Sequence, residues 1–247
     1  MKAEITLNGI VLRLRSAGDN LRFADVLTGE LGVIEVSIKG GRRAASPTVT
    51  STQLFAYSRL CLRRGRNGYS LDSAEPLNIF YALRGDLKRL ALASYFAELV
   101  IYSVPPDEES GALRLFLNTL HFICADSMPL GVLKSVFELR HVAELGFLPD
   151  LGNCRVCGKC AGEGNKKFVF DSGSIVCGSC PGEGVILPNA VLAAMRHIIS
   201  ADYNKGLFSF KLGEKSSAQL GYITERYALE KLERGFKTLE FYKNLPE

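Results

Sequence analysis

Two Cys-x-x-Cys motifs constrain the fold more strongly than any other feature of this sequence. The first is Cys154-Arg-Val-Cys157 and the second is Cys177-Gly-Ser-Cys180, with 19 residues between them. Each motif can bend two thiolates toward one ion, and together the motifs supply the four sulfur ligands that structural zinc prefers. The spacing therefore predicts a four-cysteine zinc site with no position open to water, so we expect it to be structural rather than catalytic.

The residues between the two motifs indicate a zinc ribbon. Lys167-Phe-Val-Phe170 and Ser174-Ile-Val176 are typical of two short strands, with turn residues Asp171-Ser-Gly173 between them. Gly158, directly after the first motif, allows the tight turn of a metal-binding knuckle. A redox dithiol and an iron–sulfur cluster are the alternatives, and Cys160 favours the cluster because it extends the first motif to C-x-x-C-x-x-C.

The first 80 residues have the pattern of a small β-barrel. Apolar residues alternate with polar ones near the start, and four further runs are rich in β-branched or aromatic residues: Leu21–Leu27, Gly32–Lys39, Leu54–Arg63 and Tyr69–Ala74. Turn residues separate these runs. Five short strands at this spacing predict a closed or partly open barrel, with a sandwich fragment as the alternative. Ala44–Thr52, rich in Ser and Thr, is predicted to be a loop.

Basic residues are concentrated in the same part of the chain. Residues 1–80 carry 11 Lys and Arg against 7 Asp and Glu, and no acidic residue lies between Glu35 and Asp72. Such one-sided charge within strands predicts a surface that binds a polyanion, although a merely solvated face has the same pattern. Tyr57 and Tyr69 could stack on bases or belong to the barrel core. The candidate nucleic-acid-binding residues are Arg13, Arg15, Lys39, Arg42, Arg43, Arg59, Arg63, Arg64 and Arg66.

After Pro76 the apolar residues follow helical periodicity. Helices are expected over Leu83–Tyr102, Ser110–Ala125, Leu130–Leu145, Pro188–Ala201 and Gln219–Leu239. The chain is therefore interpreted as an α+β multidomain protein. Its predicted parts are a barrel (1–80), the first part of a helical domain (81–150), a four-cysteine zinc module (151–187) and the second part of the helical domain (188–247).

Several other classes of protein lack support in the sequence. No apolar run approaches the roughly 18 residues that span a bilayer, and the start has no signal-peptide core, so a cytoplasmic protein is expected. No phosphate-binding loop, His-Glu-x-x-His pair or nucleophile elbow is present. The three histidines lie within helical patterns and are expected to be ordinary helix residues. We therefore expect a binding protein rather than an enzyme.

The order of these parts resembles the RecO family of bacterial recombination mediators. The resemblance covers nearly the whole chain, and no single motif is decisive. It is carried by Gly40-Gly41-Arg42-Arg43, by residues 83–99 and 137–154, by the Cys177–Cys180 motif and by a closing helix that ends in Leu239-Glu-Phe.

The resemblance implies an oligonucleotide/oligosaccharide-binding (OB) barrel, a helical domain and an inserted zinc-ribbon-like module. It also implies binding to single- and double-stranded DNA, strand annealing, partnership with RecR, contact with the C-terminal tail of single-stranded DNA-binding protein, and indirect help in loading RecA. Lys39, Arg42 and Arg43 match the family's basic loop, and the paired cysteines match its metal site with one Zn²⁺ per chain. Cys160 departs from the usual pattern.

Three other functions are compatible with the same residues. One is a zinc-ribbon RNA-binding protein of translation or transcription, which would prefer structured RNA and would not anneal strands. Another is a protein–protein adaptor, which would leave the acid-free stretch unexplained. The last is an enzyme with a hidden site, which would turn over a small molecule without DNA.

Overall fold

The structure, a computed structural model, describes residues 4–18, 20–39, 47–65, 68–159, 164–202 and 205–246. The chain divides into two units, residues 1–125 with 236–247 and residues 126–235. Among the described residues, no helix has the length and apolarity needed to cross a membrane. The division into the four parts predicted from the sequence stays a prediction.

Five strands in the first unit form a closed barrel. They are β1 (Glu4–Ser16), β2 (Leu21–Thr28), β3 (Val33–Lys39), β4 (Ala56–Gly65) and β5 (Gly68–Ile79). Their order is β1-β2-β3-β5-β4, with β3 and β5 parallel and the other described pairs antiparallel. The predicted OB-like barrel is thereby confirmed, and the sandwich alternative is wrong.

The barrel interior is filled by alternating residues of all five strands. Its members are Leu7, Val11, Ala24, Val26, Ile34, Val36, Ile38, Leu60, Leu62 and Tyr69. Tyr69 is only 9% exposed, and its hydroxyl lies 3.2 Å from Asp107 Oδ1. The interpretation of Tyr69 as a stacking platform is therefore wrong, because its ring belongs to the core.

A short helix, α1 (Pro47–Ser51), replaces part of the predicted loop over Ala44–Thr52. Residues 44–46 lie outside the described part of the chain. Hydroxyl groups explain the helix: Thr52 Oγ1 donates to Thr48 O at 2.6 Å, and Ser58 Oγ of β4 donates to Ser51 O at 2.8 Å. The Ser and Thr residues that indicated a loop thus bind backbone carbonyls and hold α1 on the barrel.

The remaining α-helices follow the predicted periodicity with two breaks, one at the extended Asp86 inside the predicted Leu83–Tyr102 helix and one near the end of the chain. They are α2 (Leu87–Ser103), α3 (Ala112–Ala125), α4 (Leu130–Glu144), α5 (Asn189–Ser200), α6 (Glu214–Lys231) and α7 (Lys237–Asn244). The prediction of one helix over Gln219–Leu239 is wrong, because Glu233 has a φ of 50° and Phe236 is extended. A residue in the left-handed region interrupts a right-handed helix. α6 belongs to the second unit and α7 to the first.

The second unit contains a small sheet beside its helices. Its strands are β6 (Asp150–Cys154), β7 (Lys166–Val169), β8 (Ser174–Cys177) and β9 (Val185–Ile186), in the order β6-β8-β7-β9. β7 and β8 pair antiparallel as the predicted hairpin, whereas β6 and β8 are parallel. The cysteine motifs thus lie at strand ends, as a ribbon-like module requires.

Candidate metal centre and nucleic-acid interface

The four paired cysteines converge on one point. Cys154 ends β6 and Cys177 ends β8, and because these neighbouring strands are parallel, both end at the same edge of the sheet. The sulfur atoms of Cys154, Cys157, Cys177 and Cys180 all lie within 4.8 Å of one another. A tetrahedral ion with sulfur ligands at about 2.3 Å separates them by about 3.8 Å, and the Sγ atoms of Cys157 and Cys177 are 3.8 Å apart. The donor set fits a tetrahedral metal.

Backbone geometry holds the two motifs in this arrangement. Gly158 has a φ of +69°, the left-handed conformation expected of a glycine after the first motif, and its N–H donates to Cys154 O at 2.9 Å. In the second motif, the N–H of Gly178 donates to Asn165 O at 2.7 Å. A Cβ on Gly178 would lie 2.9 Å from that same oxygen, so a larger residue does not fit there.

The electrostatics of the cluster favour a bound cation. Backbone N–H groups of Cys157 and Cys177 stabilise the Cys154 thiolate and lower its pKa to about 6. The neighbouring sulfurs of Cys177 and Cys157 raise the pKa of Cys180 to about 12. Four thiolates this close repel one another unless a positive ion lies between them. Cys160 lies outside the described residues, so the cluster alternative stays open on this point.

Aromatic packing joins the β7–β8 hairpin to α6 within the second unit. The rings of Phe168 and Tyr227 meet edge to face with centroids 5.4 Å apart, and the Arg226 guanidinium lies 4.3 Å from the Phe170 centroid. A Cβ on Gly173 would lie 2.4 Å from the Tyr227 hydroxyl oxygen, so only glycine fits this turn. We therefore expect a change at the metal centre to be transmitted to α6.

The arginines of β4 do not form an unpaired basic surface. Arg59 lies 3.5 Å from Glu75, and Arg64 lies 3.9 Å from Asp107. Arg63 contacts two carboxylates, with Glu4 at 3.1 Å and Asp72 at 2.5 Å. The arginines of the stretch without acidic residues thus form ion pairs with carboxylates from other parts of the first unit.

The outer surface of the first three strands carries a second group of charges. Cross-strand pairing places Arg13 opposite Asp25 and Asp25 opposite Glu35, and it places Arg15 opposite Phe23 and Phe23 opposite Ser37. Directly opposed residues share a face of the sheet. We call this surface the β1–β3 face, and its members are Arg13, Arg15, Phe23, Asp25, Glu35, Ser37 and Lys39.

Two arginines of the β1–β3 face share carboxylates. Asp25 Oδ2 accepts from Arg13 Nε at 2.5 Å, and its Oδ1 accepts from an Nη atom of Arg15 at 2.7 Å. The same Nη atom lies 2.7 Å from Glu35 Oε2. Desolvation lowers the pKa of Arg15, but the neighbouring Asp25 and Glu35 charges raise it above its ordinary value, so the guanidinium stays protonated.

Three of the nine predicted contact residues, Arg42, Arg43 and Arg66, lie outside the described residues. Lys39, at the end of β3, is exposed, and no described residue forms an ion pair with it. The structure brings Arg13, Arg15 and Lys39 together on the β1–β3 face. Arg59, Arg63 and Arg64 are instead on β4.

Phe23 is the residue that the sequence reasoning missed. It is half-buried, and it lies opposite Arg15 and Ser37 on the β1–β3 face. The signal was its spacing, because Phe23 precedes the polar Asp25 by two residues and therefore points to the same side of β2.

Comparisons with known proteins extend over almost the whole chain. The family model described as Recombination protein O N terminal matches residues 1–80, and the one described as Recombination protein O C terminal matches residues 84–240. The DNA repair protein RecO of Acetivibrio thermocellus is 30% identical over an alignment of 252 positions, and the alignment covers 96% of each chain. That of Symbiobacterium thermophilum is 31% identical over 245 residues, covering 97% of this chain and 96% of its own.

Proposed function

Because the chain belongs to the recombination protein O family, we propose that it is a non-catalytic mediator of recombinational DNA repair. In this proposal it binds single- and double-stranded DNA and anneals complementary strands. The observation that carries the proposal is the closed OB-like barrel in a chain matched over residues 1–80 and 84–240. Barrels of this type commonly bind oligonucleotides on the face of strands 2 and 3.

The physical basis of binding would be phosphate attraction combined with base stacking. Lys39, Arg13 and Arg15 supply positive charge on the β1–β3 face, and Phe23 supplies an aromatic ring among them. Neutralising phosphates releases counterions, which gives salt-dependent binding without sequence readout. Annealing then needs no catalytic residue, because a cationic surface reduces the repulsion between two strands and base pairing supplies the driving force.

Family membership also supports the partners in this proposal. The protein would act with RecR to help load RecA onto DNA coated by single-stranded DNA-binding protein, whose C-terminal tail it would contact. Such a protein is expected in the cytoplasm, at the nucleoid.

The metal in this proposal is one structural Zn²⁺ per chain, held by Cys154, Cys157, Cys177 and Cys180. Zinc would neutralise the thiolates and hold the two motifs together. Purified protein should contain one equivalent of zinc and be colourless. A brown protein absorbing near about 400 nm would identify an iron–sulfur cluster instead.

The central test is fluorescence anisotropy of a labelled single-stranded oligonucleotide, titrated with the protein at several salt concentrations. We expect tight binding at low salt that weakens steeply as salt rises, followed by annealing of complementary strands in a separate assay. Absence of binding at low salt would overturn the proposal and favour the adaptor. Preference for a structured RNA competitor, without annealing, would favour the RNA-binding alternative.

A further inference from the structure

The two carboxylates of the β1–β3 face differ in how firmly they are held. The Asp25 side chain is 8% exposed, and each of its oxygens accepts from a different arginine. The Glu35 side chain is 49% exposed, and its ion pair is with Arg15 alone among the described residues. Asp25 is therefore a fixed anchor for Arg13 and Arg15, whereas Glu35 can leave Arg15 by rotating into solvent.

A DNA phosphate that binds Arg15 would compete with the Glu35 carboxylate for the same guanidinium. One Nη atom of Arg15 lies 2.7 Å from both Asp25 Oδ1 and Glu35 Oε2, and the Arg15 side chain is 47% exposed. Exposed ion pairs contribute little free energy, so a phosphate can displace the Glu35 carboxylate. Displacement still costs the free energy of that ion pair, and the negative charge of Glu35 stays close to the bound strand.

We propose that Glu35 competes with the DNA backbone for Arg15 and so limits how tightly the β1–β3 face holds a single strand. The inference rests on the proposed DNA binding, and it assigns a role to one carboxylate within that surface. An annealing protein must release each strand to its complement. A carboxylate that returns to Arg15 as the phosphate leaves favours this release.

The experiment compares four variants with the wild-type protein: Glu35→Gln, Arg15→Ala, the double variant and Glu75→Gln. Glu75 pairs with Arg59 at 3.5 Å between β4 and β5, so its replacement removes a similar exposed carboxylate from outside the β1–β3 face. The ligand is a labelled oligothymidylate, measured by anisotropy at two salt concentrations. Thermal unfolding midpoints verify that each variant is folded.

We expect Glu35→Gln to bind about two- to fivefold more tightly at low salt, which corresponds to the free energy of one exposed ion pair. The gain should shrink at high salt because the charge is screened. Glu35→Gln should give no gain in the Arg15→Ala background, and Glu75→Gln should bind as the wild type does.

Three results would overturn the inference while the proposed function stands: unchanged affinity of Glu35→Gln, an equal gain in Glu75→Gln, or the same gain without Arg15. The second of these would point to net charge or to the release of Arg59 as the cause, and the third to a general effect of Glu35 on the barrel. Failure of the wild-type protein to bind would remove the proposed function and this inference together.

Discussion

His141 is a titratable side chain buried in the second unit. It is 1% exposed, and its ring stacks on Phe137 with centroids 5.6 Å apart. Burial lowers the pKa of His141 to about 3, whereas an unfolded histidine has a pKa of about 6.5. Below about pH 6.5, His141 therefore binds more protons in the unfolded chain than in the folded protein. The stability contributed by the neutral ring is complete above that pH and is lost progressively as the pH falls toward 3.

We predict that His141→Gln reduces the pH dependence of unfolding. Between about pH 6.5 and pH 4.5, the wild-type protein should lose up to about 1.4 kcal/mol per pH unit through this residue, and the variant should lose less. Urea unfolding at a series of pH values measures both profiles. His121→Gln is the control, because His121 is exposed on α3. Parallel profiles for wild type and His141→Gln would contradict the prediction.

Replacing one metal ligand tests the cysteine centre. We predict that Cys177→Ser loses zinc and destabilises the fold by about 4 kcal/mol or more, because metal loss is among the few causes of such large effects. Cys61→Ser on β4 should retain zinc. Metal content and the unfolding midpoint measure the two variants. Full retention of zinc by Cys177→Ser would contradict the ligand assignment and would make Cys160 the candidate for the fourth ligand.

The sequence revealed the two candidate sites to different extents, and the reason is the range of the interactions. Cys154 and Cys157 are separated by two residues, so their shared role is visible in local spacing. Arg63 meets Glu4 across 59 residues because β1 and β4 pair in that register. A local sequence pattern does not contain the register between strands. The stretch without acidic residues could therefore be recognised from the sequence, whereas the ion pairs that its arginines form with distant carboxylates could not.

At the scale of elements, α4 and α6 are joined by a buried charge network. Lys134 Nζ lies 2.8 Å from both Glu138 Oε1 and Glu225 Oε2, and Thr224 Oγ1 donates to Glu138 Oε2 at 2.9 Å. Desolvation lowers the pKa of Lys134, but the charges of Glu138 and Glu225 outweigh it and raise the pKa above its usual value. The lysine therefore stays charged inside the unit.

We predict that Lys134→Met destabilises the fold by about 3–5 kcal/mol, because it leaves the buried Glu138 carboxylate without its cation. Lys134→Met combined with Glu138→Leu should cost less than the sum of the single changes, since an apolar pair can replace a buried ion pair. Chemical denaturation measures all three variants, with Lys215→Met on the exposed side of α6 as the control. Additive single effects would indicate that the pair is not coupled.

The elements themselves were predictable where side-chain periodicity decides them. Alternation located the first barrel strand, runs rich in β-branched or aromatic residues located the other four, and the apolar stripes located α2 to α5. The helix over Gln219–Leu239 failed because its apolar stripe continues past a break that only the backbone shows, at Glu233. The loop prediction missed α1 for a different reason. Propensity alone disfavours a helix of Ser and Thr residues, but hydrogen bonds from their hydroxyl groups to backbone carbonyls stabilise this one.

At the scale of the whole molecule, the formal net charge is only +4. A charge this small gives weak long-range attraction, so DNA binding must depend on where the positive residues lie. The basic loop predicted from the family resemblance, with Lys39, Arg42 and Arg43, and the β1–β3 face belong to the same end of the sequence. A variant that changes the loop can therefore be matched by one that makes the same change of charge in the second unit.

We predict that Arg42→Glu combined with Arg43→Glu weakens binding to single-stranded DNA about 10- to 100-fold at low salt, with an unchanged unfolding midpoint. The slope of log affinity against log salt should become shallower by about 0.7 for each phosphate that the variant no longer neutralises. The control reverses Lys211 and Lys215, two exposed lysines of the second unit, to Glu and gives the same net charge. If the control weakens binding as much, net charge governs the affinity. If only the double variant at Arg42 and Arg43 weakens binding, the interactions with DNA are local, because both variants carry the same net charge.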